Sequence, residues 1–156
     1  MRKRWIGYLL LPFALLWAKL PGPSTQEESE PSREFRIKRK STARGGKLIE
    51  ISTEAAELSW LPERVEGITI QRVKPQPDGG YIAEEAPLRS RVEVATTSSC
   101  TAELHSLRQE VMERLLGGTG HHAIVVGSVE EGRFNKQAEM IVEGKGKGIW
   151  RILRLK

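Results

Sequence analysis

The stretch TAELHSLRQEVMERLL, Thr101 to Leu116, decides how the rest of this chain is to be read. Leu104, Leu107, Val111 and Leu115 fall on one stripe at helical spacing. Ser99 stands where an N-cap belongs, Glu103 sits in what would be the first turn, and Gly117-Gly118 follows as a stop. The spacing therefore predicts a helix over 101–116.

Moving outward, Arg91 to Ala95 alternates polar and apolar residues with Val92 and Val94 on one face, as a half-buried strand does. Downstream, Ala123 to Val129, Ala138 to Val142 and Ile149 to Leu155 read as three consecutive strands joined through glycine-containing turns, a meander. Further upstream, Lys47 to Ile51 and Gly67 to Val73 are β-branched runs. Pro75 to Gly80, with Asp78-Gly79-Gly80 inside it, is a turn into a short strand at Tyr81 to Glu84. Thr53 to Val65 predicts a second, shorter helix carrying Ala55, Ala56, Leu58 and Leu61, ended by Pro62. Ala56, Glu57, Leu58, Leu61 and Val65 recur 46 residues later as Ala102, Glu103, Leu104, Leu107 and Val111, a pattern that amphipathic helices also reach by convergence. The expected fold is α+β: an antiparallel sheet with two helices on one face, of the ferredoxin-like type, over residues 35–156.

Two segments precede that domain. Arg2, Lys3 and Arg4 lead into an uncharged apolar run with no polar face. In it Trp5, Leu10, Phe13, Leu16 and Trp17 are expected to contact lipid, so residues 1–20 read as a signal anchor or signal peptide. Leu16-Trp17-Ala18 offers only one of the two small residues a cleavage site uses, so retention as an anchor is expected, and secretion follows if cleavage occurs. Residues 21–34, rich in Pro, Ser and Glu, are expected to be a disordered linker. The basic residues abutting the apolar run place the body on the extracytoplasmic side, periplasmic or extracellular, although Arg33, Arg36, Lys38, Arg39 and Lys40 pull the other way.

The net charge of +5 resides largely in that leader: Arg2, Lys3, Arg4 and Lys19 precede the first acid, Glu27, and leave the body close to neutral. A nucleic-acid-binding domain would show its own basic excess, so nucleic acid is an unfavoured partner. With Cys100 as the single cysteine, an intrachain disulfide is excluded and stability must come from packing.

Chemistry-bearing motifs are sparse. Cys100, just ahead of the expected helix, would gain thiolate character from the helix dipole, with His105, His121 and His122 as bases. However, Ser106 stands where a phosphatase pattern needs arginine. His121 and His122 are neighbours on an expected strand, point to opposite faces and suit solvent better than a shared metal. Gly127 to Phe134 spaces its glycines like a phosphate loop but has Arg133 and Phe134 where Lys and Ser or Thr belong, so it reads as a hairpin. Gly117-Gly118-Thr119-Gly120 reads as a helix stop rather than a nucleic-acid clamp.

Two basic features remain as anion or lipid-headgroup candidates: Arg36, Lys38, Arg39 and Lys40 in one run, and Lys145 and Lys147 in the turn Gly144 to Gly148. The bland alternatives are an edge strand guarded by charge and a solubilising turn. No catalytic residue, metal site or cofactor is expected. The leading expectation is a non-enzymatic, membrane-tethered protein-protein interaction or assembly domain of a cell envelope. Ile149, Trp150, Ile152, Leu153 and Leu155 put apolar residues on both faces of the last strand, and cover for them could come from a protein partner or self-association. The alternatives are a nucleic-acid or anion/lipid-headgroup binding module, and third a thiol-dependent enzyme at Cys100.

Overall fold

The structure, a computed structural model, describes residues 33–54 and 57–156. The expected anchor, with the five residues expected to contact lipid, and the expected linker up to residue 32 lie outside the described residues. Ten strands and one α-helix follow: β1 Glu34–Ser41, β2 Lys47–Thr53, β3 Gly67–Pro75, β4 Tyr81–Ala83, β5 Leu88–Arg91, β6 Glu93–Ser98, β7 Thr101–His105, α1 Gln109–Gly117, β8 Thr119–Glu130, β9 Arg133–Gly146 and β10 Ile149–Leu155.

Every pairing is antiparallel, and the strands run in the order β4-β3-β8-β9-β10-β1-β2-β7-β6. What closes this sheet is the stretch 88–98. Its first part, β5, pairs with β3 at one end of the order, and its second part, β6, pairs with β7 at the other. Between them the Val92 N–H donates to the Glu66 carbonyl. One continuous strand thus joins both edges, and with β4 set aside as a hairpin extension of β3 the result is an eight-stranded closed barrel. Closure removes the free edges that an open sheet must protect.

The period-2 pattern of each strand fills the lumen. Phe35 and Ile37, Ile49 and Ile51, Ile68 and Ile70, Ala102 and Leu104, Ile124 and Val126, and Met140 and Val142 all join one buried cluster. Helix α1 adds Val111, Met112 and Leu115 to the same cluster. It touches β1 on one side of the ring and β3 and β5 on the opposite side, so it spans the barrel as a plug. The Trp150 indole N–H donates to the Leu115 carbonyl at 2.8 Å and ties the plug to β10. The apolar void left inside is about 10 Å³, too little for an ordered water with polar partners. This barrel is packed, not a ligand-holding cup.

The expected two-helix, ferredoxin-like sandwich is therefore incorrect. The strands of the meander and those around 47–51, 67–73 and 81–84 lie where their patterns put them. Thr101 to His105, however, is strand β7. Leu104 starts the helical stripe that continues at Leu107, but with Ala102 it also satisfies a period of 2, and pairing with β2 and β6 wins because it completes the barrel. Only the second half of the stripe is helical. Ser99 caps nothing, and Arg108, without a side-chain cap, precedes the first turn.

The other expected helix reduces to a single 3-10 turn, Glu57–Trp60, with Leu58 buried beneath it; Ala55 and Ala56 lie outside the described residues. The 46-residue recurrence therefore has no structural counterpart, since Leu58 sits in that turn and Leu104 in β7. The last strand also finds its cover within the chain. Trp150 and Ile152 face the lumen. Alternation turns Leu153 outward onto Val73, Ala123, Ile141 and Tyr81, and the bulge that follows sets Arg154 opposite Ile141 on the same outer face.

Candidate functional site

The two basic features arrive side by side. Strand β1 lies between β10 and β2 in the barrel wall, so it is not an edge strand. The Ile37 N–H donates to the Gly148 carbonyl at 2.7 Å, which seats the Lys147-Gly148 turn against β1. Arg36, Lys38 and Lys40 alternate with the buried Phe35 and Ile37 and point outward, whereas Arg39 shares the opposite face near the strand's end and is exposed.

Two of the six candidates are neutralised. Lys40 bonds to Glu103 and lies 3.5 Å from Glu50, and the hydrogen bond to Glu103 holds its ammonium pKa above the ordinary value while lowering that of Glu103. Lys145 pairs with Glu34 at 2.9 Å. Arg36, Lys38, Arg39 and Lys147 make no ion pair among the described residues. The glycines of 144–148 answer to geometry rather than to a ligand: Gly146, Lys147 and Gly148 all have positive φ (85°, 57° and 78°), as a tight hairpin turn requires.

The thiol candidate loses its premise. Cys100 lies in the turn between β6 and β7, far along the chain from the first turn of α1, and the Thr53 N–H donates to its carbonyl. His105 faces Glu103 at 3.7 Å on the barrel's outside. His121 stands beside Tyr81, and among the described residues no three His, Cys, Asp or Glu side chains cluster to hold a metal. Gly127 to Phe134 is a hairpin, with Glu131 and Gly132 at positive φ in its turn. Gly117-Gly118 does end the helix, although Gly118 is extended, not left-handed.

Sequence reasoning missed a buried polar clamp. His121 and His122 do alternate across strand β8, but the inward His122 is fully buried, not solvated. Its Nδ1 lies 3.2 Å from the Gly120 carbonyl and its Nε2 3.4 Å from Arg114 Nη1, an arrangement satisfied by a neutral ring protonated on Nδ1. Arg114, in the last turn of α1, donates to Glu85 at 2.6 Å, and Glu85 also accepts from the Arg72 N–H. The Trp150 ring meets His122 edge-on at 5.2 Å. The cluster locks the C-terminal end of the plug to the barrel wall. The signal for it was the His-His dipeptide on a strand, since alternation must send one ring inward.

This clamp predicts a two-stage acid response. Burial pushes the His122 pKa below its usual value, with the Arg114 and Arg72 charges acting in the same direction. The unfolded chain takes up that proton first as pH falls below about 6.5, so folded stability declines from there downward. The hydrogen bond from Arg114 lowers the Glu85 pKa below 4.5. The stability Glu85 contributes is present above that value and lost as pH falls through its folded-state pKa. Denaturant midpoints measured across pH should show both stages, and His122→Gln should abolish only the first. A native midpoint that stays level from about pH 7 to 5 would refute the assignment.

Among the described residues no helix is long and apolar enough to cross a membrane. Comparison with protein-family models found no match, and comparisons with curated proteins and with solved structures found none either.

Proposed function

We propose that the chain is a non-enzymatic interaction module of a cell envelope, held at a membrane by residues 1–20 with the barrel on the extracytoplasmic side. A filled lumen leaves no interior site for a substrate, so recognition falls to the outer wall. The observation that carries the reading is the clustering on that wall of Arg36, Lys38 and Lys147, exposed cations that form no ion pair among the described residues. The partner is then a protein with an acidic face. The cover that the last strand finds within the chain removes the earlier reason for expecting self-association there.

A second reading, anionic lipid headgroups, is favoured by one feature: the band begins on β1, the strand that directly follows the proposed tether, and each basic residue near such a surface contributes about 1 kcal/mol.

Photo-crosslinking from position 38 of the full chain in native membranes tests the two. A discrete protein adduct that disappears in the Arg36→Glu/Lys147→Glu variant is expected. Lipid adducts alone would transfer the site to headgroups, and no adduct of either kind would overturn it. A topology reporter fused after Lys156 should signal extracytoplasmically, and a cytoplasmic signal would refute the orientation.

A further inference from the structure

On strand β5, Ser90 turns inward while Arg89 and Arg91 turn out. Over that outer face lies a cleft of about 290 Å³, bounded by β5, Arg108 ahead of α1, and the tip of the β8–β9 hairpin. Arg89, Arg91 and Arg108 line it together with Ile68, Val129 and Phe134, and no carboxylate belongs to its lining. A larger neighbouring depression of about 630 Å³ shares Arg91 and adds Arg64 together with Glu63, Glu66 and Glu93. Carboxylates outnumber guanidinium groups in the larger depression, whereas the smaller cleft is lined by guanidinium groups without a carboxylate, so an anion is drawn to the smaller.

The cleft is also held in shape. The buried Ser90 hydroxyl donates to the Arg91 carbonyl at 3.0 Å and accepts from the Arg108 N–H at 2.8 Å, joining the strand to the helix start. Arg108 Nη1 donates to the Arg89 carbonyl at 3.2 Å, and its Nη2 donates to Glu110 at 2.6 Å, which offsets much of its charge. The Arg89 guanidinium stands 6.0 Å from the centre of the Phe134 ring, which limits its freedom. Neither Arg89 nor Arg91 has a carboxylate partner among the described residues. Two uncompensated guanidinium groups suit a dianion, and their planar forks match phosphoryl oxygens bidentately.

The geometry points to a binding site for a phosphoryl dianion on a small apolar or aromatic group, with Arg89 and Arg91 holding the phosphoryl oxygens and Val129 and Phe134 receiving the organic part. The inference rests on neither the membrane tether nor the Arg36–Lys38 wall.

Phenyl phosphate is the probe, titrated calorimetrically into the full chain in nanodiscs of zwitterionic lipid. Saturable 1:1 binding is expected, weakened about tenfold or more in Arg89→Ala/Arg91→Ala and unchanged in the exposed pair Arg44→Ala/Lys47→Ala. Arg89→Lys/Arg91→Lys keeps the charge but loses the fork, so an intermediate loss is expected. Both arginines are exposed, and an unchanged thermal midpoint in each variant shows that folding is intact. Absence of saturation in the unsubstituted chain overturns the site. Equal weakening by the two alanine pairs also overturns it, because that result reports only net charge. Repeating the titration in nanodiscs containing phosphatidic acid identifies the source: competition supports a lipid headgroup, and no competition supports a soluble phosphorylated molecule.

Discussion

Replacing Trp150 with alanine is expected to cost about 3–5 kcal/mol of folding stability, the range for deleting a large buried aromatic. The indole is fully buried in the same cluster as the lumen residues and the plug. Its N–H satisfies the Leu115 carbonyl near the end of α1, and its ring meets His122 edge-on. Truncation would open a cavity, orphan that carbonyl and strip one wall from the His122 clamp. Domains of this size are stable by only about 5–15 kcal/mol, so the loss should lower the melting temperature by roughly 10–20 °C. Trp150→Phe separates the contributions, because it keeps most of the volume and removes only the donor; about 1–3 kcal/mol is expected. Thermal and denaturant unfolding measure both. If alanine cost less than about 1 kcal/mol, the plug could not be anchored through this side chain.

Gly144→Ala should be comparably damaging, at about 3 kcal/mol or more, for a reason that has nothing to do with backbone angles. An added Cβ would stand 2.4 Å from the Gly118 carbonyl oxygen and 2.9 Å from Cζ3 of Trp150. The first is main chain at the end of the helix and cannot rotate away, so α1 and β9 would have to separate. Gly120 supplies the contrast. Its Cβ would meet nothing within 4 Å, but its φ of +84° favours glycine, and Gly120→Ala should cost only about 1–2 kcal/mol. Chemical denaturation of the two variants side by side checks the ranking. Equal losses would mean that the close approach of Gly118 and Gly144 is not a real constraint.

Both variants act where the plug meets the wall, and nothing local in the sequence marks that junction. The glycines of Gly117 to Gly120 and Gly144 to Gly148 read correctly as punctuation, since turns and helix ends select glycine through nearest-neighbour sterics. That Gly118 and Gly144 face each other is a contact between α1's end and β9, and spacing along the chain carries no trace of it. The candidate site divides in the same way. The basic run of β1 and the lysines of the Gly-Lys turn were legible as residues. Which of them form ion pairs depends on Glu50, Glu103 and Glu34, carboxylates that only the folded barrel wall brings within reach. Arg89 and Arg91 passed unnoticed because two arginines on one strand face resemble any solvated surface until a hairpin tip and a helix start enclose them.

The sequence by itself determined the strands with clean alternation, the hairpin turns at Asp78-Gly79-Gly80, Glu131-Gly132 and Lys147-Gly148, and the helical character of Gln109 to Leu116, because each depends on residues within a few positions of one another. Only the tertiary structure decided the state of Thr101 to His105, the closure of the sheet through 88–98, and the burial of His122. Leu104 belongs both to the helical stripe with Leu107 and Val111 and to the period-2 pair with Ala102, so local spacing does not choose between the two states. What separates the two states is the set of hydrogen bonds offered by β2 and β6, strands that reach Thr101 to His105 only when the barrel closes.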